Sequence, residues 1–258
     1  MGLEAHDVAV RFGGLVALDG VTLGAPSGSI TGLIGPNGAG KTTLFNVCSG
    51  FQKAQSGQIV LDGADVTKLG AVSRARAGIG RTFQRLELFW RMTVRENIEI
   101  AVEACETTDN PLSLLNLKRV GRRRNEEIAE RADELLEVLG LTDRATVLAG
   151  QLSTGQGRLL ELARCLARKP SILLLDEPSS GLDVNETAEF GDLISKLVLD
   201  SDVGVLLVEH DMSLVLRICR RITVLDFGKV LFEGTPEEVN RSGEVQAAYL
   251  GRAVGEVE

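Results

Sequence analysis

The chain has 258 residues, 44% of them hydrophobic and 25% charged, which suits one α/β domain or two closely joined lobes. Its formal net charge of −8 argues against a broad electrostatic footprint for nucleic acid or an anionic membrane. No apolar run approaches the roughly 18 residues of a spanning helix, and Glu4, His6 and Asp7 stand where a signal peptide would be apolar.

The first third reads as strands with turn punctuation. Val16 to Leu23 alternates, Pro26-Ser27-Gly28 turns the chain, and Ser29 to Ile34 is a short apolar strand feeding a glycine loop. A helix is expected from Lys41 through Val47, ending near Gly50 as helices with a C-terminal glycine do. Gln58 to Leu61 with Asp62-Gly63 resembles one edge of a hairpin. The middle, from about Leu86 to Arg168, has few strand-like runs and is read as an inserted helical lobe. Within it, Ile128, Ala132, Leu135, Leu136 and Leu139 form one helical stripe. The basic run Lys118-Arg119 with Arg122-Arg123-Arg124 is read as a solvated helix end. The last third alternates strand and helix: Ile172–Leu175, Glu186–Leu199, Val203–Val208, Met212–Cys219 and Ile222–Leu225. That order predicts buried parallel strands with helical crossovers, followed by a hairpin through Asp226–Lys229. Cys48, Cys105, Cys165 and Cys219 are widely separated, so reduced, packed thiols in a cytoplasmic protein are expected.

Two motifs carry chemistry. Gly35-Pro36-Asn37-Gly38-Ala39-Gly40-Lys41-Thr42, followed by Thr43, has the spacing of a phosphate-binding loop between strand and helix. Its glycines let backbone N–H groups wrap phosphates, Lys41 would bridge the β- and γ-phosphates, and Thr42 would offer its hydroxyl to Mg2+. Ile172 to Pro178 is an apolar strand delivering two carboxylates to its C-terminal end, where open α/β sheets bind ligands. Asp176 is placed to hold Mg2+ through water, and Glu177 to orient and deprotonate an attacking water.

Around these motifs the chain resembles the ABC-type ATPases along nearly its whole length. Leu152-Ser153-Thr154-Gly155-Gln156 is similar to their LSGGQ signature, and Ser179 to Asp183 to their D-loop. Gln84 falls at the Q-loop glutamine and His210 at the switch histidine. The resemblance implies a RecA-like P-loop NTPase core with an antiparallel β subdomain and an inserted helical subdomain. The expected divisions are 1–84 and 169–240 for the core, 85–168 for the helical part, and a short tail at 241–258. It implies two such domains paired head to tail around two ATP molecules. Ser153, Gly155 and Gln156 would then meet the nucleotide held by the partner, and Asp183 would couple the sites. Gln84 would contact Mg2+ or water, and His210 the γ-phosphate. Phe12 is the match for the aromatic that stacks on adenine. Thr154 departs from the usual glycine, and the second glycine and Ser153 remain.

Gly80 to Gln84, Leu86 to Ile98, Val208 to Met212 and Ile222 to Val239 resemble ATP-binding subunits of branched-chain amino acid importers. That resemblance implies permease subunits, a substrate-binding protein, and a place on the inner face of the cell membrane through the permease. A lipid or glycan exporter ATPase of the lipopolysaccharide type, or a soluble non-transport ABC ATPase, is the alternative. Leu88, Phe89, Trp90 and Met92 are read as core or as the lip of a permease-binding groove.

Overall fold

The structure, a computed structural model, describes residues 1–106 and 119–253. Lys118 lies outside the described residues, as do residues 254–258 and the side chains of Cys105, Arg119, Arg122 and Arg123. The chain divides into two compact units, Met1–Arg81 with the segment from Ser171 onward, and Thr82–Pro170.

The first unit contains two sheets. β1 (Gly2–Phe12), β2 (Leu15–Pro26), β4 (Ser56–Leu61) and β5 (Ala64–Asp65) form an antiparallel sheet in the order β2-β1-β4-β5. β1 keeps one face in the core through Leu3, Ala5, Val8 and Val10. Its period of two is interrupted at Asp7, whose φ of 48° accompanies a register shift between Ala5 and Val8. The second sheet has the order β10-β9-β3-β8-β7-β6. Its members are β3 (Ile30–Ile34), β6 (Ile79–Arg81), β7 (Ile172–Asp176), β8 (Gly204–Val208), β9 (Arg221–Asp226) and β10 (Lys229–Gly234). Only β10 runs antiparallel to its neighbour. β3, β7 and β8 are buried at every residue, which is why they read as unbroken apolar runs.

Helices connect and cover these strands: α1 (Lys41–Ser49), α2 (Ala71–Ala77), α6 (Val184–Ser201), α7 (Met212–Ile218), α8 (Pro236–Arg241) and α9 (Gly243–Ala253). α1 stops at Gly50, whose φ of 80° turns its N–H back onto the carbonyls of Asn46 and Val47. One apolar core, including Leu3, Leu18, Leu33, Phe45, Ile59 and Leu174, joins residues of both sheets and α1. Cys48, Cys165 and Cys219 form no disulfide among the described residues, and burial pushes the thiols of Cys48 and Cys219 up to about 12, so both stay protonated.

The second unit is helical: α3 (Val94–Glu106), α4 (Arg119–Val138) and α5 (Thr154–Leu166), with 3-10 turns at Thr142–Arg144 and Ala149–Gln151. Ile128, Ala132, Leu135, Leu136 and Leu139 are all buried, as their spacing predicts. α4 runs from Arg119, and Arg124 reaches Glu103 of α3 at 3.8 Å, so part of the basic run is a helix turn. Leu88 is 7% exposed and belongs to the core, whereas Phe89 and Trp90 are 43% and 48% exposed.

Candidate functional site

The loop 35–40 leaves the C-terminal end of β3 and enters α1, so its backbone N–H groups and the helix N-terminus converge on one point. Two glycines are required there by contact. At Gly35, with φ 150°, a Cβ would stand 2.1 Å from the carbonyl oxygen of Leu225. At Gly40, with φ 108°, it would stand 2.7 Å from that of Ala17. Gly228, in the β9–β10 turn, braces the loop by donating to the Ala39 carbonyl at 3.0 Å, while its own carbonyl accepts from Asp19 N–H at 2.8 Å. The Lys41 ammonium is buried and donates to the carbonyls of Gly35 (2.6 Å) and Pro36 (3.0 Å). Those bonds hold it inside the loop's concavity.

Beside the loop is an open cleft of about 290 Å3. Its lining combines the polar loop Asn37 to Thr43, Glu177 and His210 with the largely apolar Phe12, Leu15, Val16 and Ala17. Phe12 and Leu15 flank the β1–β2 turn and are 49% and 67% exposed, an apolar face in a polar cleft. A flat aromatic ligand with a phosphate tail fits this division.

β7 and β8 are adjacent and parallel, with Asp176 opposite Val208. The loops that follow them therefore emerge together, and His210 Nε2 lies 2.8 Å from Glu177 Oε1. Glu177 has φ 50°, an uncommon conformation for a non-glycine residue, and its N–H is fixed by the Val208 carbonyl at 2.9 Å. Burial pushes the Asp176 carboxyl above its usual range, and the neighbouring Arg81 guanidinium, 3.2 Å away, opposes that shift. Arg81 also donates to Asn46 Oδ1 (2.8 Å) and Ser49 Oγ (2.6 Å) of α1.

Two residues of this region escaped the sequence reading. Arg81 is the last residue of a three-residue strand, and a lone arginine after Gly80 gave no sign of a buried partner. Glu209 is 3% exposed; one oxygen accepts from Ser179 N–H (2.8 Å) and the other from His210 N–H (3.1 Å). Its carboxylate therefore ties the loop after β7 to the loop after β8. An acid ending the buried run of β8 was the available signal.

Asp183 caps α6, accepting from Asn185 and Glu186 N–H at 2.8 Å each. In the helical unit, Ser153 caps α5: its Oγ accepts from Gln156 N–H and Gln156 Oε1 accepts from Ser153 N–H, both at 3.2 Å. Thr154 is the first helical residue and has no positive φ, so a β-branched side chain fits where the signature pattern has glycine. Gly155 follows it in the first turn of α5. Gln84 is exposed.

A glycine loop capping a helix at the carboxyl ends of parallel strands, with Asp176 ending another strand of the same sheet and Glu177 just beyond it, defines a P-loop nucleoside-triphosphate-binding protein. A model of the ABC transporter family matches residues 18–180. The chain belongs to the ABC transporter family, and its fold is that of the ATP-binding cassette. It is 44% identical over 251 residues to the high-affinity branched-chain amino acid transport ATP-binding protein BraF of Pseudomonas aeruginosa, covering 97% of this chain and 98% of that protein. It is 42% identical to the corresponding ATP-binding protein LivG of Escherichia coli, with the same coverage. The solved ADP conformation of MJ1267, an ATP-binding cassette of an ABC transporter, is similar with a TM-score of 0.84 and 32% identity, over 96% of this chain and 98% of that one.

Proposed function

We propose that this chain is the ATP-hydrolysing subunit of an importer of branched-chain amino acids. The observation that carries the catalytic part is the Glu177–His210 pair, 2.8 Å apart, in the cleft that also holds Lys41, Thr42 and Phe12. Adenine stacks on Phe12, and Asn37 to Thr43 wrap the phosphates, with Lys41 on the β- and γ-phosphates. Glu177 orients the attacking water and accepts its proton, and His210, whose Nε2 meets the Glu177 carboxylate in this structure, exchanges that partner for the γ-phosphate once ATP is bound. The Thr42 hydroxyl and the Asp176 carboxylate are hard oxygen donors of the kind Mg2+ takes, and with Gln84 they would hold that ion. Bound there, Mg2+ would supply neutralising charge on the phosphates.

Ser153, Gly155 and the α5 N-terminus form an anion site in the other unit, and Gln156 serves it by pinning Ser153. On this reading they act on ATP bound to a second cassette, with Asp183 at the seam between the two. Closure on ATP and reopening after hydrolysis drive a permease fed by a substrate-binding protein. Permease contact places the chain on the inner face of the membrane, and among the described residues no helix is long and apolar enough to cross it. The importer assignment is supported by the identity to BraF and LivG. Reconstituting the chain in lipid vesicles with the membrane proteins that co-purify with it tests the whole reading. ATP-driven leucine uptake is the expected result; outward lipid or glycan movement, or a chain that purifies without a membrane partner, would overturn it.

A further inference from the structure

Arg158 and Glu161 are 4% and 5% exposed, as deeply buried as the leucines around them, and the chemistry above uses neither. They stand three residues apart on α5 and so share one face. Arg158 donates to the carbonyls of Phe83 (3.0 Å) and Gln84 (2.8 Å), and Glu161 accepts from Phe83 N–H (3.1 Å). The two side chains meet each other at 3.2 Å. Further along the same helix, Arg164 donates to the Glu87 carbonyl, and its guanidinium lies 4.7 Å from the centre of the Phe89 ring. Between them the loop runs close to the helix: a Cβ on Gly157 would stand 2.9 Å from Leu86 Cδ1.

The segment 83–89 is thus fastened along α5 by side chains of the helix acting mainly on main-chain atoms. Bonds to main-chain atoms fix the path of a loop whatever side chains it carries. Burying this pair has a cost, and burial pushes the Glu161 carboxyl above its usual range even with Phe83 N–H and Arg158 beside it. Apolar residues would anchor α5 in its core without that cost. They would not hold the backbone of Phe83 and Gln84.

We propose that Arg158 and Glu161 are positioning residues that lock the Gln84 loop to the signature helix, so that Gln84 and Ser153 shift as one piece during the ATP cycle. The inference rests on the ATPase reading, in which Gln84 serves the chain's own nucleotide and Ser153 the partner's. A displacement felt at Phe89 or Trp90 would then reach the signature end of α5 through the helical unit alone.

The test uses the full chain with an Arg158→Met/Glu161→Leu double substitution, in the wild type and in Glu177→Gln. In steady-state hydrolysis kcat should fall by roughly tenfold to a hundredfold, the effect of a slightly misplaced reacting group, with KM for ATP little changed. Hydrogen exchange supplies the independent readout. Adding ATP to Glu177→Gln should slow exchange in 82–88 and 152–158 together, and the double substitution should uncouple them, leaving 82–88 fast. Should the double variant fail to fold, Arg158→Lys keeps the charge but cannot span both carbonyls, and Glu161→Gln keeps one acceptor. Each should give the same split to a smaller degree. Unchanged kcat with joint protection retained, or a loss shared equally by ATP affinity and kcat, would overturn the coupling. A Glu177→Gln chain in which ATP protects the P-loop but the two segments already respond separately would overturn it too. Absence of any ATP response would instead overturn the ATPase reading on which it rests.

Discussion

Replacing Glu209 by glutamine exchanges one oxygen for an NH2 group, and both oxygens are engaged. One accepts from Ser179 N–H at 2.8 Å and the other from His210 N–H at 3.1 Å, at a residue 3% exposed. Whichever way the amide turns, its NH2 faces a backbone donor, and one part-buried amide loses its partner, at up to about 1–3 kcal/mol. Glu209→Ala strands both, at about 2–6 kcal/mol. Ser179 lies two residues beyond Glu177, and His210 adjoins Glu209, so the strain falls on the two backbones that hold the Glu177–His210 pair. If the loops absorb all of it, the glutamine variant loses roughly 5- to 150-fold in kcat. Glu209 does not line the cleft, so KM for ATP should stay near the wild-type value. Steady-state hydrolysis with a parallel thermal melt measures both. A glutamine variant with wild-type kcat, or one whose loss of kcat only tracks global unfolding, would refute the reasoning.

Phe12→Ala should weaken ATP binding by the worth of one stacked base, about 1–3 kcal/mol, and leave tripolyphosphate binding unchanged. Equal losses for both ligands in a calorimetric titration would place Phe12 outside the adenine site. Asp211 caps α7, where the Ser213 hydroxyl (2.6 Å) and the N–H groups of Leu214 and Ser213 hold its carboxyl below the usual range. A lowered folded-state pKa contributes stability above the unfolded value and loses it as pH falls through the folded one. Asp211→Ala should therefore cost about 1 kcal/mol at pH 7 and progressively less below about pH 4; a urea-measured difference that persists to lower pH would argue against the cap. Trp90→Ala removes a half-exposed ring from the helical unit and should weaken permease co-purification while sparing nucleotide affinity. Undiminished co-purification would dismiss Trp90 as an anchor.

Legibility in the sequence followed the range of the interactions involved. The glycine loop, Lys41 and the Ile172–Asp176 strand were readable because local spacing and an unbroken apolar run dictate them. Gly50 ended its helix as a left-handed cap for the same reason. β1 was obscured by the bulge at Asp7, which breaks the alternation a strand displays. β6 has three residues and exists only through its pairing with β7, and α2 is a short helix whose Arg74 is buried by donating to carbonyls of α1 and of the loop before α2. Arg81, Arg158 and Glu161 were missed because the partners that bury them are distant in sequence and, for the pair on α5, include main-chain atoms of Phe83 and Gln84, whereas Glu209 left one sign, an acid at the end of a buried run. Leu88 and Trp90, nearly adjacent and both apolar, could not be sorted into core and surface without the packing of 82–90 against α5.

In the function proposed for this chain, a second copy or sister of the cassette closes the ATP site and Glu177 is the base. Light scattering on Glu177→Gln with saturating ATP and Mg2+ tests it most directly, alongside a turnover assay. The expected particle has twice the mass of the 27.6 kDa chain, or is a one-to-one pair with a co-purifying sister ATPase, and it retains ATP and scarcely hydrolyses it. A Glu177→Gln chain that turns ATP over at the wild-type rate would contradict the proposal.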